Sequence, residues 1–123
     1  MYFRETNNLG LRSFVRDDLL KYKDFLNDHR VTKYLEMGDK PVTEKTLEDT
    51  FDEANYSEND VVFSAELKQN KVFLGTTGLY LINWIARRAQ FRIFLGETKY
   101  FRKGYGTEIT KLVVEYGFNR LNL

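Results

Sequence analysis

The feature that most constrains the fold of this chain is a run of alternating side chains in its middle, which lies between two stretches of helical period. The apolar positions of that run are Val61, Phe63, Ala65 and Leu67. A side-chain period of two is that of a β-strand. Gln69-Asn70 then predicts a tight turn, residues 72–82 a returning strand, and residues 89–95 a third strand. The middle of the chain is therefore predicted to be a largely antiparallel sheet.

Helical patterns surround the predicted sheet. A short strand at residues 9–13 precedes an acidic pair at 17–18, which suits the positive end of a first helix. Thr43 is the predicted N-cap of a second helix, and an apolar stripe at residues 109–116 predicts a last one. Since no Pro/Gly/Ser linker interrupts this order, residues 1–123 are predicted to form a single α+β (mixed α/β) domain, with a mostly antiparallel central sheet flanked by helices.

Charge and composition exclude several classes of protein. The 123 residues carry a formal net charge of +1, whereas dedicated nucleic-acid binders usually carry a large basic excess. With no cysteine and one histidine, the chain has no disulfide, no catalytic thiol and no histidine cluster for a metal. No apolar run approaches the ~18 residues of a membrane span, and the polar start differs from a signal peptide. We therefore expect a soluble, cytoplasmic protein with no metal, no nucleic-acid partner and no membrane partner.

Residues 100–108 carry the clearest sign of chemistry in the sequence. Gly104 and Gly106, with the cations Arg102 and Lys103, stand between the third strand and the last helix. Backbone N–H groups at a helix start lack intrahelical partners, glycines let a ligand approach closely, and the helix dipole favours an anion. The segment predicts a cradle for a phosphate or pyrophosphate.

Two other interpretations of this segment stay open on the motif alone. A Gly-x-Gly sequence is also typical of an ordinary turn. Residues 103–106 match the first half of the RNP1 motif of RNA-recognition strands as well. That match ends at Thr107, Glu108 and Thr110, where an RNA-facing strand would carry apolar and aromatic residues, and the residues that follow have helical period.

The setting of the segment resembles the GNAT superfamily of N-acetyltransferases. The coenzyme A loop of that family reads Q/R-x-x-G-x-G/A between a strand and a helix, and residues 101–106 read FRKGYG. An aromatic residue at Phe101, followed by KGYGTE, is similar to the branch of ribosomal-protein N-terminal, spermidine and amino-sugar acetyltransferases. The flanking segments that share this likeness are Leu11-Arg12, Asn27-Asp28 and residues 31–35, 74–79, 88–91 and 116–123.

The resemblance implies an acetyl-CoA-dependent N-acetyltransferase that acts on a primary amine of a small molecule or on a protein N-terminus. It implies a loop backbone that holds the cofactor pyrophosphate, formed by Arg102, Lys103, Gly104, Tyr105, Gly106 and Thr107. It also implies that the backbone of the strand Ile93-Phe94-Leu95 pairs with the pantetheine arm. Gln90 takes the position of a family carboxylate; since it cannot accept a proton, we expect it to position a water or the amine.

Three further residues are implied for the acceptor pocket, namely Tyr34, Glu36 and Trp84. Tyr34 and Glu36 also fit ordinary surface packing, and Trp84 also fits an exposed loop with solvated charges.

The resemblance carries a last expectation about the end of the chain. Relatives open another strand where this sequence stops, so we expect the last strands and helix of that fold to be missing. The strand at residues 90–95 should then have an open edge, and such edges recruit other chains. We expect a homo-oligomer through this edge. The alternative function is a non-catalytic coenzyme A-binding or assembly module, which Gln90 and the early chain end motivate.

Overall fold

The computed structural model describes residues 2–32 and 41–123. Its elements in chain order are β1 (Arg4–Glu5), β2 (Leu9–Ser13), α1 (Asp18–Leu26), α2 (His29–Thr32), α3 (Glu44–Tyr56), β3 (Val61–Leu67), β4 (Phe73–Asn83), β5 (Arg88–Leu95), a short 3-10 helix (Thr98–Tyr100) and α4 (Tyr105–Asn119). Among the helices in these two ranges, none combines the length and apolar character that crossing a membrane requires.

The strands form one sheet in the order β1-β2-β3-β4-β5, and each neighbouring pair is antiparallel. The predicted α+β fold with its antiparallel sheet is therefore confirmed. β5 lies at one edge of the described sheet, as the sequence predicted. The sequence did not predict β1, α2 or the 3-10 helix, because each spans only two to four residues and shows no full period.

Helices cover both faces of the sheet. On one face, α4 packs its buried side chains, Ile109 among them, against β2, β3 and β4. On the other face, an aromatic cluster lies beneath α1 and α3, and the rings of Phe25 and Phe73 stack there with centroids 5.7 Å apart. Strand β5 contributes to both cores, since Leu95 packs against the first and Phe94 against the second.

A buried ion network replaces apolar packing at one point beneath α1. Arg12 donates to both carboxylate oxygens of Asp18, at 2.8 and 2.9 Å, and its Nε donates to Glu66 at 3.0 Å. Ser64 Oγ also donates to Asp18, and Tyr2 Oη donates to Glu66. Burial by itself raises the pKa of Asp18, but the hydrogen bonds from Arg12, a backbone N–H and Ser64 outweigh it, and the pKa is lowered. The network explains why the polar residues Ser64 and Glu66 are buried on this face of β3.

Two glycines of β4 let the neighbouring strands approach closely. A Cβ at Gly75 would lie 1.9 Å from the carbonyl oxygen of Phe94, and one at Gly78 would lie 2.1 Å from that of Val61. Gly75 also has a φ of 151°, and the register between β3 and β4 shifts beside it. The approach at Gly75 brings β5 close to β4, beside the cavities described below, and the approach at Gly78 brings β3 close to β4.

Candidate functional site

The loop between β5 and α4 contains a position that suits glycine. Gly104, the N-cap of α4, has a φ of 81° in the left-handed region, and Arg102 just before it has a φ of 66°. The first hydrogen bond of the helix runs from the N–H of Glu108 to the carbonyl of Gly104 at 3.1 Å. The N–H groups of residues 105–107 therefore precede the helical ladder and form the positive end of the α4 dipole.

The acidic residue of this first turn contacts the N-terminal segment of the chain. Glu108 accepts hydrogen bonds from Thr6 Oγ1 at 2.8 Å and from Asn8 Nδ2 at 3.2 Å. These contacts attach the start of α4 to the connection between β1 and β2. Glu108 is the one carboxylate in the first turn of α4. Its two hydrogen-bond donors stabilise its negative charge beside the helix start, where an anion would bind.

A cavity of about 680 Å³ opens at the start of α4, and it is termed the loop cavity. The end of β5, the loop and the first two turns of α4 line it with Ile93, Leu95, Tyr100, Phe101, Arg102, Gly104, Tyr105, Gly106, Thr107, Thr110 and Lys111. Ile93 and Leu95 form an apolar wall, whereas Arg102 and Lys111 add cations to the helix start. Such a combination fits a phosphorylated ligand that carries an apolar arm.

The outer edge of β5 presents backbone groups beside the loop cavity. The N–H of Gly96 donates to the carbonyl of Leu74 at 2.9 Å, and hydrogen-bonded pairs alternate with non-hydrogen-bonded pairs along an antiparallel ladder. The register between β4 and β5 is regular from this pair to Gln90. The backbone groups of Ile93 and Leu95 therefore point to the outer edge, while Phe94 pairs inward with β4.

A second cavity, of about 530 Å³, lies between β5 and the helices α1 and α3, and it is termed the helix-side cavity. Its lining residues are Phe14, Tyr22, Thr50, Glu53, Ala54, Val62, Thr76, Tyr80, Phe91, Arg92, Ile93 and Phe94. Ile93 lines both cavities, so both border the same residue of β5.

Polar groups in the helix-side cavity suit the binding of an amine. Burial, together with the neighbouring Glu53, raises the pKa of Tyr22, so that its phenol stays neutral. Burial, followed by the proximity of Tyr22 and Glu53, raises the pKa of Tyr80 in the same way. The guanidinium of Arg92 lies 4.6 Å from the centre of the Tyr80 ring, and its Nε donates to Gln90 Oε1 at 2.7 Å.

Most residues predicted to bind the cofactor lie together around the loop cavity. Lys103 and Phe94 are not among its lining residues, and Phe94 lines the helix-side cavity instead. Gln90 and Trp84 line neither the loop cavity nor the helix-side cavity; Trp84 is 48% exposed in the turn after β4. Their roles stay predictions.

Two predicted acceptor-site residues, Tyr34 and Glu36, lie outside the described residues. Thr110 and Lys111 were not predicted from the sequence, although their spacing of three and four residues from Thr107 puts them on one helix face. The polar residues of the helix-side cavity were not predicted either, because they come from four elements, α1, α3, β4 and β5, that are far apart along the chain.

Comparison with known proteins agrees with this geometry. Residues 8–123 match the model of the acetyltransferase (GNAT) domain family. The chain belongs to this family. The resemblance of the glycine loop and its flanks is thereby confirmed, and with it the GNAT-like fold.

Two curated relatives extend the comparison. Spermidine N(1)-acetyltransferase from Escherichia coli strain K12 is 31% identical over 118 residues, which are 95% of this chain and 61% of that protein. The uncharacterized N-acetyltransferase p20 of Bacillus licheniformis is 26% identical over 122 residues, which are 96% of this chain and 67% of that protein. The chain thus spans about three fifths of the length of the E. coli relative.

Solved structures give the same result. The crystal structure of spermidine N-acetyltransferase from Vibrio cholerae in complex with CoA and spermine aligns with a TM-score of 0.77 at 26% identity. The alignment covers 96% of this chain and 68% of that one.

Proposed function

We propose that this chain forms the acetyl-CoA-binding part of an N-acetyltransferase that acts on a primary amine. The observation that carries the proposal is the loop cavity, where the left-handed Gly104 leads into the start of α4 and cations lie beside an apolar wall of β5. The N–H groups of residues 105–107 would hold the pyrophosphate, with Arg102 and Lys111 adding charge. The outward backbone groups of Ile93 and Leu95 would pair with the pantetheine arm.

The closeness of the two cavities, which both border Ile93, supports a direct transfer. An amine in the helix-side cavity would attack the carbonyl carbon of the acetyl thioester, forming the N–C bond as the C–S bond breaks. The amine nitrogen loses a proton and the leaving thiolate gains one. Glu53 is a carboxylate of this cavity and can accept a proton directly or through a water, which Gln90 cannot do.

We further propose that the acceptor is a small cationic amine such as a polyamine. Glu53 offers a cation a charge partner and Tyr22 a neutral phenol, while the ring of Tyr80 is already in contact with Arg92. Helix α3 adds the exposed Asp52, whereas its neighbours Glu48 and Asp49 pair with Arg16 and Lys45. Two of the similar proteins are named spermidine acetyltransferases, and one was crystallised with spermine. A protein N-terminus is the other acceptor that the test below includes.

Two measurements test this function. In thermal unfolding, acetyl-CoA and CoA should raise the melting temperature and ATP should not, because only the first two carry a pantetheine arm for β5. A turnover assay should then compare spermidine, an amino sugar and a peptide with a free N-terminus. Stabilisation by ATP alone would contradict the cofactor proposal, and transfer to the peptide in preference to spermidine would contradict the acceptor proposal.

A non-catalytic coenzyme A-binding module is the second candidate function. The observation that favours it is the hydrogen bond from Arg92 to Gln90, which engages the side chain at the position of the family carboxylate. Such a module would bind CoA and give no turnover with any amine. Acetyl transfer at an enzyme-like rate would exclude it.

We also propose that the chain associates with a second copy through the outer edge of β5. The support is the position of β5 at the end of the described sheet, with the backbone groups of Ile93 turned outward. Because the pantetheine arm would use the same groups, this association is proposed for the chain without bound cofactor. Sedimentation of the parent without CoA should show a dimer. Ile93→Pro should give a monomer, because it removes an outward N–H and leaves the inner ladder intact. Glu115→Ala, on the exposed side of α4, is the control. A monomeric parent, or a dimeric Ile93→Pro variant, would contradict this association.

A further inference from the structure

Three aromatic rings line the loop cavity, and two of them are engaged in packing. Tyr100 and Tyr105 pair with ring centroids 6.3 Å apart, and both pack against the core beneath α4. The hydroxyl of Tyr100 also accepts a hydrogen bond from Asn70 Nδ2 at 3.1 Å. Phe101 differs from both because 39% of its surface is exposed although it lines the cavity.

The backbone holds Phe101 at this position. Its N–H donates to the carbonyl of Thr98 at 3.0 Å, which closes the short 3-10 helix. Phe101 itself has extended backbone angles, and the left-handed φ of 66° at Arg102 then turns the chain towards Gly104. An exposed phenyl ring gains little from its own burial, so a ligand that covers it adds favourable contact area.

The chemistry of the proposed cofactor indicates what that ligand group is, and the inference therefore rests on the proposed function. The apolar wall of β5 suits the pantetheine arm and the start of α4 suits the pyrophosphate. The remaining part of coenzyme A is an adenosine phosphate, whose base presents a flat aromatic face. Bases stack on aromatic side chains and on arginine guanidinium groups, and here Arg102 follows Phe101 directly.

We propose that Phe101 is the stacking residue for the adenine ring of coenzyme A. It contacts the nucleotide end of the cofactor only, so its contribution is absent for a ligand that lacks adenosine. The loop backbone differs from Phe101, because it would hold the pyrophosphate of CoA and also the single phosphate of a ligand that lacks adenosine.

Binding calorimetry with CoA and with phosphopantetheine tests the proposal, since the second ligand lacks the nucleotide. For Phe101→Ala, the dissociation constant of CoA should rise about 5- to 150-fold, which is the range for one base stacked on an aromatic residue. The dissociation constant of phosphopantetheine should not change. Phe101→Trp should restore CoA binding, because a larger ring keeps the stacking face. Phe118→Ala is the matched control, since Phe118 is 64% exposed on α4 and does not line the loop cavity.

The outcomes separate this inference from the function on which it rests. If the parent binds both ligands and Phe101→Ala binds CoA with the same affinity as the parent does, the stacking role is wrong and the cofactor site stands. If Phe101→Ala weakens both ligands equally, the substitution has disturbed the loop and the adenine role is again wrong. If the parent binds neither ligand, the proposed function fails and the inference fails with it.

Discussion

The left-handed conformation of Gly104 makes this residue the most constrained point of the loop. A Cβ added there would meet nothing within 4 Å, so a substitution would be limited by backbone strain and not by a clash. We expect Gly104→Ala to lower the free energy of unfolding by about 1 kcal/mol or slightly more. Gly104→Asn should lower the free energy of unfolding by less, because asparagine tolerates the left-handed region better than alanine.

Urea unfolding measures this difference, and Gly106 provides the control. Gly106 lies within α4, and a Cβ there meets Leu95 at 3.8 Å, an ordinary contact. Gly106→Ala should therefore leave the stability unchanged or raise it. If Gly104→Ala were as stable as Gly106→Ala, the strain attributed to Gly104 would be absent in solution.

A second residue-scale prediction concerns Arg12, which neutralises the buried Asp18 and Glu66. Arg12→Leu leaves two carboxylates without their cation, and breaking such a buried pair costs about 3 kcal/mol or more. Arg16→Leu removes an arginine that also pairs with a carboxylate, Glu48, but in solvent. Arg16→Leu should lower the free energy of unfolding much less than Arg12→Leu, because water screens the exposed pair. Equal losses of unfolding free energy in the two variants would contradict the role given to the buried network.

At the scale of elements, the start of α4 is the part whose function can be tested separately from its folding. Gly106→Asp adds a carboxylate where the proposed pyrophosphate lies, so we expect repulsion to abolish CoA binding. Gly106→Ala adds a Cβ without charge, and alanine occurs at this position of the family motif, so CoA binding should persist. Thermal shift with CoA measures both. Undiminished binding by Gly106→Asp would mean that the cofactor lies elsewhere.

Elements with a full period could be predicted from the sequence, and shorter ones could not. The alternation at residues 61–67 and the acidic helix start at 17–18 predicted β3 and α1. The four-residue helix α2 was missed, because a segment from His29 to Thr32 is too short to show a helical period. The burial of Ser64 was equally unpredictable, because it depends on an aspartate that α1 brings from 46 positions away.

At the scale of the whole molecule, the two cavities differ in how far the sequence could predict them. The loop cavity is built mainly from residues 100–111, so a local motif indicated it. The helix-side cavity combines Tyr22, Glu53 and Tyr80, which are separated by about thirty residues each and are brought together by the packing of α1 and α3 on the sheet. Only the folded chain shows that both cavities share Ile93.

The buried network also makes the stability of the whole molecule depend on pH. The hydrogen bond to Glu66, followed by burial, raises the pKa of Tyr2 to about 12, whereas an unfolded tyrosine titrates near pH ~10. Between these values the unfolded chain loses a proton that the folded chain retains, so the unfolded state is favoured. The contribution of Tyr2 is therefore fully present below pH ~10 and is lost as the pH rises towards about 12.

Tyr2→Phe isolates this contribution. Lysines and other tyrosines titrate in the same range, but their contributions to stability cancel in the difference between parent and variant. Urea unfolding should show the parent more stable than Tyr2→Phe at neutral pH, since the variant leaves one oxygen of Glu66 without its donor. The difference should hold up to pH ~10 and then shrink steadily towards pH ~12. A difference that stayed constant across this range would mean that the Tyr2 proton is not held by Glu66 in solution.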